Sequence, residues 1–177
     1  IFAVGGSMEA HAALVLPKKL QHQMRLELAK MDVRHIVSEF AHYGDPPATV
    51  LGVIRAVLCL TGHSKSSGQD TSTWELCKPM CTSTLFKDMP TLNLVVVDNK
   101  LHTEDRWREA AAITRGMDVE SSMRKFPHGV KIMLQWLEAA KLVHRMAVQV
   151  HNDEEKRKQT AKENAALAIQ SIMKGQG

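Results

Sequence analysis

The 177-residue sequence is poor in aromatic residues and in long apolar runs, and both shortages restrict the fold. Aromatic residues make up 5% of the chain although 44% of it is hydrophobic and ten residues are methionine, a balance that favours helices over β-sandwiches. No apolar run approaches the roughly 18 residues that a membrane-spanning helix needs. No basic-plus-apolar signal peptide is present either. We therefore expect an all-α protein that has no membrane partner.

Cysteine is also scarce, and the recognised signatures of catalysis are missing. The odd number of cysteines predicts free thiols in a reducing compartment, here the cytoplasm. Cys77 and Cys81 have no neighbouring His or Cys pair, so a zinc site is not expected. The nine histidines are scattered, and there is neither a nucleophile–base pairing nor a Gly-x-x-x-x-Gly-Lys-Ser/Thr phosphate loop. The sequence therefore predicts no enzyme and no cofactor.

Charge of one sign is present only in modest excess, with a net charge of +4 and a pI of about 9.0. This bias favours an acidic partner without identifying it. A basic nucleic-acid-binding helical domain is one alternative interpretation. It lacks a dense basic stripe and an aromatic stacking platform, so we expect no nucleic acid partner.

The segment between Glu39 and Gly62 organises the rest of the chain. Pro46 and Pro47 restrict the backbone, so a helix arriving from the N-terminal side must end by about Gly44. Asp45 is the predicted N-cap of the next helix. That helix is apolar on most of its surface and ends at Gly62, which predicts a short core helix.

Two long helical patterns flank this core. Residues 11–42 carry one narrow apolar stripe, which needs a partner along its whole length: Leu16, Leu20, Met24, Leu28 and Met31. Residues 129–174 predict the second helix, with two overlapping apolar seams, so its register against a partner is not unique. Residues 1–10, which include Gly-Ser-Met, are interpreted as a cloning remnant or as disordered.

The economical arrangement is a two-helix antiparallel coiled coil formed by residues 11–42 and 129–174, with residues 43–128 as a small helical bundle at its tip. Within the bundle we expect Ser72 or Thr73 to cap a short helix, and Asp118 to cap a last short helix that reaches Phe126. Residues 92–97 predict an extended segment or a short helix. The three tryptophans, Trp74, Trp107 and Trp136, are predicted core anchors.

Two further residues carry specific expectations. Arg55, on the apolar helix, is predicted to pair with Glu39 or with another carboxylate of the bundle. His144 lies on the apolar seam of the second long helix. It is interpreted as a tolerated polar residue that lowers stability and loosens the register.

In order and spacing, these features resemble the microtubule-binding stalk of dynein heavy chains. The features are a polar helix, the Pro46-Pro47 corner, an apolar helix, Trp74 with Lys78, Asp98-Asn99 after an apolar run, and a long helix with Trp136 near its start. The resemblance covers roughly residues 20–150. No proline follows the valine-rich stretch that ends at Val150, and this departure favours the more variable axonemal (flagellar) dyneins.

The resemblance implies a fragment of an ATP-driven motor whose ATPase ring lies outside this chain. In that family the two stalk helices slide past each other and switch the affinity of the tip for tubulin. The implied partner is the microtubule (α/β-tubulin), and the implied location is the cytoplasmic cytoskeleton, in the axoneme of a cilium or flagellum. A leucine-rich-repeat dynein light chain is a possible further partner, with residues 106–115 as its surface. The chain would then also be a helical docking module.

Matching the sequence to the family's basic positions implies five microtubule-binding residues. Arg34 lies at the family's basic position near the end of the incoming helix, beside His35. Lys78 follows Trp74 by four residues. Arg124 and Lys125 precede Pro127. The surface of tubulin is strongly acidic, so these cations are expected on one face.

Overall fold

The structure is a computed structural model that describes residues 12–63, 65–94 and 103–176. Within these residues the protein is all-helical and contains no strand, as the sequence predicts. The eight α-helices of the described residues are α1 (Val15–Ala29), α2 (Val33–Ala41), α3 (Ala48–Leu60), α4 (Trp74–Cys77), α5 (Ser83–Asp88), α6 (Thr103–Ile113), α7 (Val119–Lys125) and α8 (His128–Gly175). Three 3-10 turns accompany them at Lys65–Ser67, Lys78–Met80 and Met89–Thr91.

The predicted incoming helix, residues 11–42, is two helices in the structure and not one. Helix α1 ends at Ala29, and α2 begins at Val33. Asp32 interrupts the helix because its side chain caps α2, where Oδ1 accepts a hydrogen bond from the His35 backbone N–H at 3.2 Å. An aspartate that bonds the backbone in this way favours a helix start over a helix interior.

Helix α3 is the buried centre of the bundle. Nine of its thirteen residues are buried, which confirms the predicted core helix, and Gly62 follows it with a φ of 108°. The predicted N-cap is wrong, since Pro47 and not Asp45 occupies that position. Pro47 has no side-chain acceptor, and its extended backbone simply leads into the first turn.

The other helices pack around α3. Helices α6 and α8 both lie against α3, while α2 packs on α5 and on the start of α8. Phe40 of α2 stacks on Phe86 of α5 with ring centroids 6.0 Å apart. The predicted cap of α4 is confirmed for Thr73, which accepts a hydrogen bond from the Leu76 N–H at 3.4 Å.

Helix α1 packs along the first part of α8 and also contacts the segment that follows α5. Arg25 donates from Nε to the Pro90 carbonyl at 2.6 Å, and the Gln21 side chain accepts from the Leu94 N–H at 2.7 Å. The second half of the predicted extended segment at 92–97, residues 95–97, lies outside the described residues, as do residues 1–10. No helix in the described ranges combines the length and the apolar character needed to cross a membrane.

Helix α8 is continuous over 48 residues, which agrees with the predicted second long helix. Its buried residues all lie in its first half, between Gly129 and Ala147. From Glu155 to Gln176 every residue is exposed. The second half of α8 therefore projects from the bundle with no covering element among the described residues.

Candidate functional site

Helix α2 presents one polar stripe to solvent. Its exposed residues recur at helical spacing, at Arg34, His35, Ser38, Ala41 and the C-cap His42. The opposite side is closed, because Ile36 and Phe40 are each only 1% exposed. Arg34 and His35, two of the predicted binding residues, therefore lie on a rigid helix whose inner side is fixed in the core.

Helix α7 presents a second exposed stripe. Asp118 caps the helix by accepting from the Ser121 N–H at 3.2 Å, as predicted. Arg124 and Lys125 occupy the last turn, where cations complement the negative end of the helix dipole. Both side chains are exposed, and the next residue, Phe126, is buried and anchors the turn to the core.

The segments that carry the two stripes approach each other where the buried side of α2 crosses the start of α8. Gly129 is buried there, and a Cβ atom built on it would lie 2.6 Å from Cγ2 of Ile36. Ile36 follows His35 directly, and Gly129 follows Lys125 by four residues. Because the two backbones approach closely here, the start of α2, which carries Arg34 and His35, is a neighbour of the joint that follows Arg124 and Lys125.

Lys78 lies at the other end of α2. Its side chain is exposed, and Nζ donates to the Tyr43 carbonyl at 3.3 Å, just beyond the last residue of α2. The same carbonyl accepts from Trp74 Nε1 at 3.2 Å, and the Tyr43 and Trp74 rings meet edge to face. A nine-residue helix is about 13 Å long, so Lys78 lies roughly that far from Arg34 and His35 at the other end of α2.

The five predicted residues thus form what we call the basic face: Arg34, His35, Lys78, Arg124 and Lys125. They come from three parts of the sequence and are collected by the two ends of α2. Sequence reasoning missed His42 and His128, which are also exposed, one at the end of α2 and one at the start of α8. Helical periodicity could have identified His42, since it follows His35 by seven residues.

The structure distinguishes between the two kinds of partner predicted for Arg55. Arg55 forms no ion pair with Glu39 within the described residues, and its Nε is buried without a hydrogen-bond partner. Hydrogen bonds from Ser72 lower the pKa of Asp70, and Arg55 adds a smaller effect in the same direction. Arg55 therefore acts on the loop that carries Asp70 and not on α2.

His144 does more than occupy a polar position in a seam. It is 7% exposed, its ring stacks on Trp107 at a centroid distance of 4.1 Å, and its Nε2 lies 3.1 Å from Glu104 Oε1. Trp74 and Trp136 are buried as predicted, whereas Trp107 is half-buried. His144 therefore ties α8 to α6.

No group of three or more His, Cys, Asp or Glu residues in the described parts of the chain is arranged to hold a metal ion. An open groove of about 700 Å³ runs between α1 and α8. On the α8 side it is lined at 4,3 spacing by His128, Ile132, Gln135, Ala139 and Leu142. The two helices are therefore incompletely packed along this side.

Comparison of the chain with protein-family models, with curated proteins and with solved structures finds no match. The helix predicted as a light-chain surface packs Ala110 into the core and exposes Arg108 and Arg115. The interpretation of the basic face depends on its own residues and on the resemblance described above.

Proposed function

We propose that this chain is the microtubule-binding stalk tip of a dynein heavy chain, of the axonemal class, and that it binds tubulin through the basic face. One observation carries the proposal. The basic positions implied by the family resemblance, which are up to 91 residues apart in sequence, lie at the two ends of a single nine-residue helix, and all five side chains are exposed.

Exposed cations suit a reversible partner with an acidic surface. Such contacts speed the encounter and fix its orientation, while each adds little to affinity and is weakened by salt. No acidic side chain forms an ion pair with Arg34, Arg124 or Lys125 among the described residues. These three charges therefore remain available to a carboxylate on a partner.

The projecting half of α8 supports an antiparallel coiled coil as the finer architecture. The buried residues Leu137, Ala140, His144 and Ala147 follow a heptad pattern. At the same spacing the helix next carries polar residues at His151, Glu154 and Lys158, and small or apolar residues resume at Ala161, Ala165, Ala168 and Ile172. A partner helix that extends α1 beyond its first turn would cover this continuation.

The groove between α1 and α8 supports a seam that can slide. A tightly interdigitated pair of helices must break many contacts before one moves along the other. Here one side of the pair is open, and the predicted second seam of α8 offers another register. If the two registers of α1 and α8 differ in free energy by only a few kcal/mol, a signal from an ATPase ring could shift the register. That shift would change the affinity of the basic face for tubulin.

The test is co-sedimentation with taxol-stabilised microtubules across a salt series. The Arg124→Glu/Lys125→Glu variant reverses two charges of the basic face, and we expect it to weaken binding by at least tenfold at low salt. The wild type should pellet in a salt-sensitive manner. Both residues are exposed, but they lie at the negative end of the α7 dipole, so the free energy of unfolding should fall by about 1–2 kcal/mol without loss of the fold.

The matched control is Lys156→Glu/Lys162→Glu, which makes the same change in net charge on the projecting half of α8. This control should pellet like the wild type. If both variants lose binding equally, the attraction is a general charge effect and the basic face is not the site. If the wild type does not pellet at low salt in either of two disulfide-locked registers of α1 and α8, the proposal is wrong.

A further inference from the structure

Gly129 allows an unusually close approach between two helices. A Cβ atom at this position would lie 2.6 Å from Cγ2 of Ile36 and 3.5 Å from its Cβ and Cγ1. Carbon atoms in good van der Waals contact are about 3.5–4.0 Å apart. Any side chain at position 129 would therefore force α2 and α8 apart.

Ile36 cannot easily move away from such a side chain. It is 1% exposed, and a β-branched side chain in a helix has essentially one preferred rotamer. Glycine is a poor helix former, so its place in the first turn of α8 runs against local propensity and is explained by packing. The contact is thus a fixed point between α2 and α8.

This fixed point lies between the two halves of the basic face. Arg34 and His35 immediately precede Ile36, while Arg124 and Lys125 lie just before the Phe126–Pro127 joint that leads to Gly129. Moving α2 away from α8 therefore changes the spacing between the two cation pairs without removing any charge.

We infer that Gly129 is a positioning residue for the basic face: it holds the Arg34–His35 pair and the Arg124–Lys125 pair at the separation that the acidic partner reads. The inference depends on the proposed tubulin-binding function. On this inference, the specificity of binding depends on the distance between the two cation pairs and not on how many cations the basic face carries.

Other glycines of the chain provide matched controls. Gly175 is also in α8, and a Cβ there would meet nothing within 4 Å. At Gly52 a Cβ would lie 3.3 Å from Cε of Met117, the flexible end of a side chain that can yield. Only the variant at Gly129 pushes against a buried, β-branched neighbour.

The experiment compares Gly129→Ala, Ile36→Ala, the double variant and Gly175→Ala in the salt-series co-sedimentation. We expect Gly129→Ala to weaken microtubule affinity roughly fivefold, the size expected for losing two exposed ion pairs, and to make binding less sensitive to salt. The double variant removes three carbon atoms of Ile36, including the clashing Cγ2, and adds one carbon at position 129. It therefore relieves the clash and should recover the wild-type affinity and salt sensitivity. Gly175→Ala should behave as the wild type.

A second readout does not involve tubulin. Nitroxide labels at Arg34→Cys and Lys125→Cys report the spacing of the two pairs by electron paramagnetic resonance. The mean distance should lengthen with Gly129→Ala and return in the double variant. The three native cysteines are buried, so the labels attach selectively.

The outcomes separate the inference from the function. If the wild type binds and Gly129→Ala binds equally well, the inference is wrong and the function stands. It is also wrong if a stably folded double variant stays as weak as Gly129→Ala. If Gly129→Ala fails to fold, the double variant still tests the inference. Wild-type spacing and affinity in the double variant would support it, and a longer spacing or weaker binding would contradict it. If the wild type fails to bind, the proposed function is wrong, and a lengthened spin–spin distance would still support the spacing role of Gly129.

Discussion

At the scale of single residues, His144 is the buried group with the clearest response to pH. Burial between α8 and α6 lowers its pKa below the ordinary histidine value, and the nearby Glu104 carboxylate opposes this shift only in part. The ring is stacked on Trp107. The neutral imidazole is therefore the form that the folded protein prefers.

We expect the protein to lose stability as the pH falls below about 6.5, because the unfolded chain then takes up a proton at His144 more readily than the folded chain. Urea unfolding at pH 8 and at pH 5.5 measures the effect. Glu104→Gln removes the charge that favours the imidazolium, so it should make the loss at low pH larger.

His144→Phe, which keeps a ring against Trp107, serves as the control and should reduce the pH dependence. All other residues are the same in the wild type and in His144→Phe, so the difference in pH dependence between them isolates His144. An unchanged pH dependence in His144→Phe would contradict the assignment of the effect to this residue.

At the scale of elements, α8 has two halves with different roles. The first half supplies a large part of the core. Four of its residues are fully buried: Val130, Met133, Leu134 and Leu137. The second half is exposed at every residue from Glu155 onward, and ion pairs between its own side chains support it. Lys158, for example, lies 3.6 Å from Glu154 and 3.4 Å from Glu155.

Truncating the chain after Glu155 should therefore leave the free energy of unfolding within about 0.5 kcal/mol of the full chain, because exposed helical pairs add only a few tenths each. Urea unfolding followed by tryptophan fluorescence measures this. The helical circular dichroism signal should fall by the share of the removed residues.

Truncation after Lys141 is the contrasting variant. It removes the buried residues Val143, His144 and Ala147, and it should cost several kcal/mol or prevent folding. A large loss of stability in the variant truncated after Glu155 would contradict this prediction. It would mean that a second molecule covers the projecting half of α8 in solution.

At the scale of the whole molecule, one core joins α1, α3 and α8. It runs from Leu28 of α1 through α3 to Val143 of α8, and all three cysteines lie within it. Burial raises the pKa of Cys59 and Cys81 to about 12 and that of Cys77 to about 11. The thiolate, which is the reactive form, is therefore rare at neutral pH.

We expect the three thiols to resist labelling by a disulfide reagent at pH 8 until the whole domain unfolds. The labelling rate in increasing urea should follow the loss of tryptophan fluorescence, and all three sites should react together. An engineered exposed thiol, Lys156→Cys, is the control and should react at once. Early labelling of Cys77 alone would show that the loop before α4 opens independently.

The sequence by itself determined the helical class, the buried α3 and the long α8, because hydrophobic periodicity and the helix-breaking Pro46, Pro47 and Gly62 act over a few residues at a time. It also predicted the caps at Thr73 and Asp118, whose side chains bond a backbone amide three residues away. It did not predict the break at Asp32, where a local cap overrode a continuous apolar stripe.

Only the tertiary structure decided which distant residues meet. Nothing in the sequence joins Ile36 to Gly129, or His144 to Glu104 and Trp107, since these contacts depend on how α2, α6 and α8 pack together. The predicted basic residues could be named from sequence, but their collection at the two ends of α2 could not. The physical reason is that side-chain packing between helices fixes distances that no local pattern encodes.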